Sequence, residues 1–375
     1  MINSLEIFSG AGGLAKGIEM AGARHQAFVE WNGDACKTLR WNYSPDIVFE
    51  TDIRDFQFSI DVIAGGPPCQ PFSLGGKALG YKDDRDMFPY AISAIRQLTP
   101  KVFIFENVKG LLRQSFARYF SYIILQLTYP HVELKNLDWE RNLSLLERIH
   151  TEGSYKELKY NVIFRLLNAA DYGVPQRRGR VVIVGIRNDL NVAWNFPEGT
   201  HSQEALLWDK YVTGSYWERH NLIPPFGEQR QQALQKERLL SQYGMFPPVK
   251  APWQTVRDAL QGLPVPLEAS ESYDEHLLRT GAKEYAGHTG SDIDQPSKTI
   301  KAGGHGVPGG ENMIKYPDGK VRYYTVLEAK RIQTFPDDYS ISGSWTEAMR
   351  QIGNAVPVRL ANVIAESLFK SVFEC

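Results

Sequence analysis

"SLEIFSGAGGLAKGIEMAGARHQAFVEW", residues 4–31, sets the fold. "SLEIF" is a short apolar strand, "GLAKGIEMAG" has helical spacing and stops at a glycine, and "QAFVEW" is a second strand. Gly10, Gly12 and Ala15 fit G-x-G-x-x-G/A between strand and helix, and Glu30 closes the next strand. Glycines there let backbone approach a ligand, and a carboxylate at that distance suits ribose hydroxyls. The pattern fits a nicotinamide dinucleotide or an adenosyl cofactor such as S-adenosylmethionine (SAM) equally; a tight turn with no ligand is the plainer reading. Phe8, at the turn, could stack on an adenine ring.

The alternation continues. "GDACKTLRWNY" reads as helix, and "DVIAGG", "KVFIFENV" and "GRVVIVGIR" read as strands. Such βαβα order predicts an α/β fold, a doubly wound parallel sheet with helices on both faces, over residues 1–190. Ligands then bind beyond the carboxyl ends of the strands, where Glu30, Asp52, Cys69 and Glu106 all fall. From 191 to 325 the periodicity fades among prolines and the glycine-rich "KAGGHGVPGG", predicting a smaller, irregular domain with β-structure. Residues 326–353 form a hinge, and the helical tail from 354 to 375 packs back on the first domain.

The composition is that of a globular protein, 43% hydrophobic and 23% charged over 375 residues. No apolar run reaches the roughly 18–20 residues of a membrane span, and no signal peptide is visible, so a cytoplasmic, reducing setting is expected. Cys36, Cys69 and Cys375 are too few and too scattered for a disulfide framework or a zinc site. A net charge of −1 rules out nucleic-acid binding by bulk charge but leaves room for a local basic cleft.

Cys69 is the residue with most chemistry in it. A lone cysteine is usually a small buried hydrophobe. This one follows a strand end, between Pro68 and Pro71 one residue further on, where the backbone is stiff. A thiolate there is a strong nucleophile. Glu106, ending another strand in "FENV", could supply a proton if burial raises its pKa; a plain helix-terminal charge is the alternative. In "PQRRGR", Arg177, Arg178 and Arg180 precede a strand, and alternation would put Arg178 and Arg180 on one side, ready for phosphate or carbonyl oxygen. Cysteine, carboxylic acid, arginine pair and adenosine-type pocket together suit covalent addition to an electron-poor ring, followed by group transfer.

With these motifs in order the chain resembles a DNA (cytosine-5) methyltransferase of the prokaryotic restriction-modification type. "FSGAGG" resembles that family's first SAM motif, "GGPPCQPFS" its catalytic motif and "FENVKGLL" the motif of its glutamate. "DYGVPQRRGRVVIVGIR" resembles its arginine motif, "EAKRIQTFPDDY" the penultimate one and "QIGNAVPVRLA" the last. The resemblance implies a SAM-dependent methyltransferase fold with a target-recognition domain over 191–325, SAM as cofactor and no metal. It implies attack by Cys69 on C6 of a flipped-out cytosine, with Glu106 acting at N3, Arg180 and Arg178 holding the base or the thiolate, Asn107 fixing the loop and Gln70 against DNA. Phe8, Gly10, Gly12, Glu30, Trp31, Asp52, Ile53, Pro68, Met87 and Asn354 would form the SAM pocket. Ser73, Gly75, Lys77 and Arg85 in the catalytic loop, and Lys298, Lys301 and His305 in "PSKTIKAGGHGVPGG", would face double-stranded DNA. A cognate restriction endonuclease is the implied functional partner, and a monomer the implied state. Two features depart from the family: Leu327 stands where arginine is frequent, and 111–159 is long, reading as an inserted helical pair. Methylation of tRNA, or silent DNA binding by a methyltransferase-like chain, are the alternatives.

Overall fold

The computed structural model describes residues 1–51, 60–68, 87–134, 138–224, 229–266, 268, 275–302 and 312–374. The chain forms two compact units: residues 1–167, 179–197 and 335–375 in the first, 168–178 and 198–334 in the second.

The first unit begins with β1 (Ile2–Ile7), α1 (Gly13–Met20), β2 (Ala23–Glu30), α2 (Gly33–Asn42), β3 (Val48–Glu50), β4 (Val62–Gly65), α3 (Phe88–Leu98) and β5 (Val102–Val108). It continues with α4 (Ala117–Thr128), α5 (Trp139–Glu152), β6 (Tyr160–Asn168) and β7 (Gly179–Arg187). The strands form one seven-stranded sheet in the order β3-β2-β1-β4-β5-β7-β6. The apolar runs of β4 and β5 are buried almost throughout, as strands covered on both faces require. Local chemistry sets the helix ends. Asn32 caps α2 by accepting from the Ala35 N–H, Pro89 sits in the first turn of α3, and Asp138 and Gly153 bracket α5.

The expected parallel sheet needs one correction. β7 runs antiparallel to β5, from Val102 opposite Ile186 to Val108 opposite Arg180. The cause is β6, a strand the periodicity did not reveal. The chain passes through α4 and α5 to the sheet edge, and only residues 169–178 separate β6 from β7, too few for a crossover. The helical pair itself belongs to the main core: Tyr119, Phe120, Ile123, Leu127, Leu143 and Leu146 pack with Phe103 and Phe105 of β5. Phe120 meets Phe164 of β6 edge to face at 4.7 Å.

The second unit contains β8 (His201–Ser202), α6 (Gln203–Trp208), α7 (Ser215–Arg219), α8 (Gln229–Tyr243), β9 (Ala251–Pro252) and α9 (Val256–Leu260). It ends with β10 (Ser291–Asp292), β11 (Met313–Lys315), β12 (Val321–Tyr323) and α10 (Val326–Ile332). Its strands make two small sheets, and the proline-rich spacing had hidden the helices. Residues 175–178 run alongside 297–300: the Arg177 N–H donates to the Ser297 carbonyl and the Ser297 N–H to the Pro175 carbonyl. The first unit resumes with α11 (Trp345–Asn354) and α12 (Val358–Phe373). α12 packs on α1 so closely that a Cβ on Gly17 would lie 2.4 Å from that of Ala361.

Candidate active site

The strand order reverses between β1 and β4, which lie side by side and parallel, and a doubly wound sheet opens its crevice at that point. Phe8 leaves the end of β1, and Gly66, Pro67 and Pro68 leave the end of β4. Phe8 has φ +52°, rare for a bulky residue and a mark of backbone held in strain by its surroundings.

The two glycines of the first turn serve different ends. Gly12 has φ +78°, and a Cβ there would stand 2.4 Å from the Tyr339 hydroxyl, which donates to the Ala11 carbonyl at 2.7 Å. Gly12 therefore makes room for a tyrosine that props the loop. Gly10, at φ +53°, has nothing within 4 Å of its missing Cβ. Open space and bare backbone are what a ligand needs.

Glu30 stabilises this turn. Its Oε2 accepts from the Gly10 N–H at 2.8 Å, and its Oε1 from the Trp31 and Asn32 N–H groups at 3.0 and 2.9 Å. A carboxylate offers about four acceptor positions, so room remains for a ribose hydroxyl. Trp31 beside it is 87% exposed. Asn354 is exposed at the end of α11, and that helix is drawn to the same rim by Arg350, which donates to the Asn32 Oδ1 at 2.9 Å. Open backbone, a spare carboxylate position and an exposed ring fit an adenosyl group.

The second part of the site lies at the ends of β5 and β7. Glu106 is buried, and its Oε1 lies 2.5 Å from the Arg180 Nε in an ion pair across the antiparallel strands. Burial pulls the Arg180 pKa below its ordinary value while Glu106 pushes it back; a guanidinium stays charged under either influence. Asn107 donates from Nδ2 to the Pro67 carbonyl at 3.0 Å, and its Oδ1 accepts from the Val108 N–H at 2.9 Å. The Met87 N–H donates to the Pro68 carbonyl at 3.2 Å. Thus the chain before Cys69 and the chain entering α3 are tied together, next to Glu106.

Cys69, Gln70, Ser73, Gly75, Lys77, Arg85, Asp52, Ile53 and His305 lie outside the described residues. Arg178 belongs to the second unit. It is fully buried and donates from Nη1 to the Ile300 carbonyl at 3.0 Å. Strand β7 starts at Gly179, so the alternation argument that joined Arg178 to Arg180 does not reach it. Lys298 donates from Nζ to the Thr289 hydroxyl at 2.7 Å, and Lys301 is exposed. Sequence reasoning missed the parts played by Tyr339, Asn32 and Arg350. The tyrosine stood in a quoted motif, but nothing in the pattern told that its hydroxyl reaches the first glycine turn. Among the described residues no group of His, Cys, Asp and Glu could hold a metal ion, and no helix is long and apolar enough to cross a membrane.

The chain is 32% identical over 377 residues to the Type II methyltransferase M.Eco47II of Escherichia coli, covering 97% of this chain and 78% of that protein. It is 32% identical over 377 residues to the Type II methyltransferase M.NgoMIV of Neisseria gonorrhoeae, covering 98% and 97%. Among solved structures, Spodoptera frugiperda DNMT2 (a triple mutant) superposes with a TM-score of 0.57 at 19% identity, over 98% of this chain and 100% of that one, which speaks to the fold. The family model described as C-5 cytosine-specific DNA methylase matches residues 2–129 and 135–370, and the chain belongs to that family.

Proposed function

We propose that the chain transfers a methyl group to C5 of a cytosine flipped out of a short, specific double-stranded DNA sequence, and that it protects host DNA from a cognate restriction endonuclease. The observation that carries the chemistry is the buried Glu106–Arg180 pair, beside a strand end that Asn107 fastens just ahead of Cys69. The family and the Type II names of the relatives carry the biological role.

SAM, which the family implies, supplies a methyl group on a positively charged sulfur. Phe8, Gly10, Gly12, Glu30, Trp31, Pro68, Met87 and Asn354, with Asp52 and Ile53, would hold it. A stacked base cannot expose C6, so the cytosine must leave the duplex at a cost of a few kcal/mol. The Cys69 thiolate then adds to C6, and Glu106 provides a proton to N3 so that negative charge does not build up on the ring. Arg180 orients Glu106 and offers hydrogen bonds to the base. C5, now electron-rich, takes the methyl group. Loss of the C5 proton to a water acting as base, departure of the Cys69 thiolate and return of the N3 proton to Glu106 leave 5-methylcytosine and the free enzyme. Gln70, Ser73, Gly75, Lys77 and Arg85 would contact the DNA. The second unit, with Lys298, Lys301 and His305, would divide its contacts between phosphates and base edges. A monomer acting in the cytoplasm suffices for this scheme.

Purified protein incubated with SAM and unmethylated DNA of diverse sequence tests the reading, with 5-methylcytosine mapped at base resolution. Methylation confined to one short motif, and abolished by Cys69→Ala, is expected. Absence of methylation by folded protein would overturn it.

A further inference from the structure

We propose that Lys109 and Arg113 form a phosphate-binding ridge that grips the DNA backbone beside the base on which Glu106 acts, an inference that rests on the DNA-methyltransferase reading. Both side chains are exposed: Lys109 opens the tight turn Lys109–Leu112, which follows β5 two residues after Asn107, and Arg113 links it to the turn Gln114–Phe116. Between the two cations Leu111 is fully buried in the main core, and the Arg113 N–H donates to the Gly110 carbonyl at 3.2 Å, so the turn has a fixed seat. The stem of Lys109 lies over Gly179: its Cδ is 3.8 Å from where a Cβ would be, with the Leu166 Cδ1 at 3.7 Å. Gly179 precedes Arg180, the partner of Glu106. The lysine is thereby anchored at the reacting pair while its charge faces water.

Unpaired charge next to Glu106 is what marks this ridge. Other exposed cations of the first unit have a carboxylate partner, among them Lys37 with Asp34, Arg118 with Glu140 and Arg141 with Asp138. Among the described residues no carboxylate pairs with Lys109 or Arg113. The sequence explains why: from Asn107 to Val132 there is no Asp or Glu. In a chain of net charge −1 this is a local positive field beside the catalytic acid. A flipped nucleotide presents its flanking phosphates at the mouth of the site, and two unpaired cations there match that pair of anions.

The test measures salt dependence. Full-length protein is titrated against a fluorescently labelled duplex of mixed sequence at a series of KCl concentrations, and the slope of log K against log [salt] is taken. Each phosphate contact adds about 0.9 to the magnitude of that slope. Lys109→Ala and Arg113→Ala are each expected to reduce it by about one and the double variant by about two, with Lys109→Arg keeping the wild-type slope. Lys370→Ala is the control. Lys370 is exposed on α12 near Phe373, whose ring lies 5.3 Å from Lys101 Nζ at the far end of β5, and its slope should not change. Slopes equal to wild type in the two alanine variants, or an equal drop in the control, overturn the ridge. If the wild type methylates DNA and these slopes do not move, the ridge alone falls; if the wild type neither binds duplex nor methylates it, the underlying reading falls with it.

Discussion

Asn107 joins the strand that carries Glu106 to the loop that leaves β4 through its Nδ2, while its Oδ1 accepts from the Val108 N–H. Replacing it by alanine strands the Pro67 carbonyl without its donor, a loss of about 1–3 kcal/mol for a buried acceptor. The larger consequence should be kinetic, because the segment ahead of Cys69 loses its fastening. Asn107→Ala and Asn107→Asp both remove the Nδ2 donor. Both are expected to lower the single-turnover methylation rate by about tenfold or more, since a misplacement of 1 Å can cost that much. An unchanged rate in either variant would show that Asn107 is only a packing residue. The sequence told which residue types stand at the rim, because strand ends are legible from apolar runs. It did not tell that an asparagine next to Glu106 reaches back to Pro67, because a contact between residues 40 apart depends on the register of two strands.

At the scale of elements, a buried polar network holds the second unit together. Lys210, which follows α6, is buried; its ammonium donates to the Asp294 carbonyl and sits 4.6 Å from the Tyr216 ring. Arg257 grips the Asp294 carboxylate with bonds of 2.6 and 3.0 Å, and the Tyr216 hydroxyl adds a third at 2.7 Å. Burial pushes Asp294 up, but those hydrogen bonds outweigh it and hold the carboxyl below its ordinary value. Burial also lowers Lys210 to about 8, against the pull of Asp294. The unfolded chain keeps the lysine proton up to its ordinary pKa of 10.5, so between about 8 and 10.5 it binds more protons than the folded one. Stability contributed by this group must therefore rise with pH across that window, by about 3 kcal/mol at most. Cys36 acts in the opposite sense: burial raises its thiol to about 12 from 9.0, so its contribution falls as pH climbs above 9. Lys210→Met isolates the first effect. Whatever its constant offset, the stability of Lys210→Met relative to wild type should decline from pH 8 to pH 10 in urea titrations. A difference that stays flat would mean that the buried lysine titrates normally. None of this network was legible in the sequence, where periodicity fails between 191 and 325 and the partners of Lys210 lie far along the chain.

At the scale of the whole molecule, the chain passes between its two compact units at 167/168, 178/179, 197/198 and 334/335. The short segment 168–178 is built into the second unit. Gln176 donates to Gln333 at 2.8 Å and accepts from the Ile300 N–H at 3.0 Å, and Trp253 donates to Asp171 at 3.0 Å. A fragment of residues 198–334 alone would leave these buried groups without partners, and it is expected to melt without a cooperative transition by circular dichroism. The same fragment with 168–178 joined to it should regain one; equal melting of both would refute the dependence. Composition and strand order made the first unit readable from the sequence, apart from β6 and the reversed β7. The boundary of the second was not, because a short stretch inside a strand-rich region gives no sign of which side it folds with. This interleaving also bears on inheritance. Were such a chain to acquire a new second unit by recombination with a relative, one continuous exchange of 198–334 would separate neighbours that fit one another. Residues 168–178, Arg178 among them, would have to travel with it as a second, separate piece of the same gene.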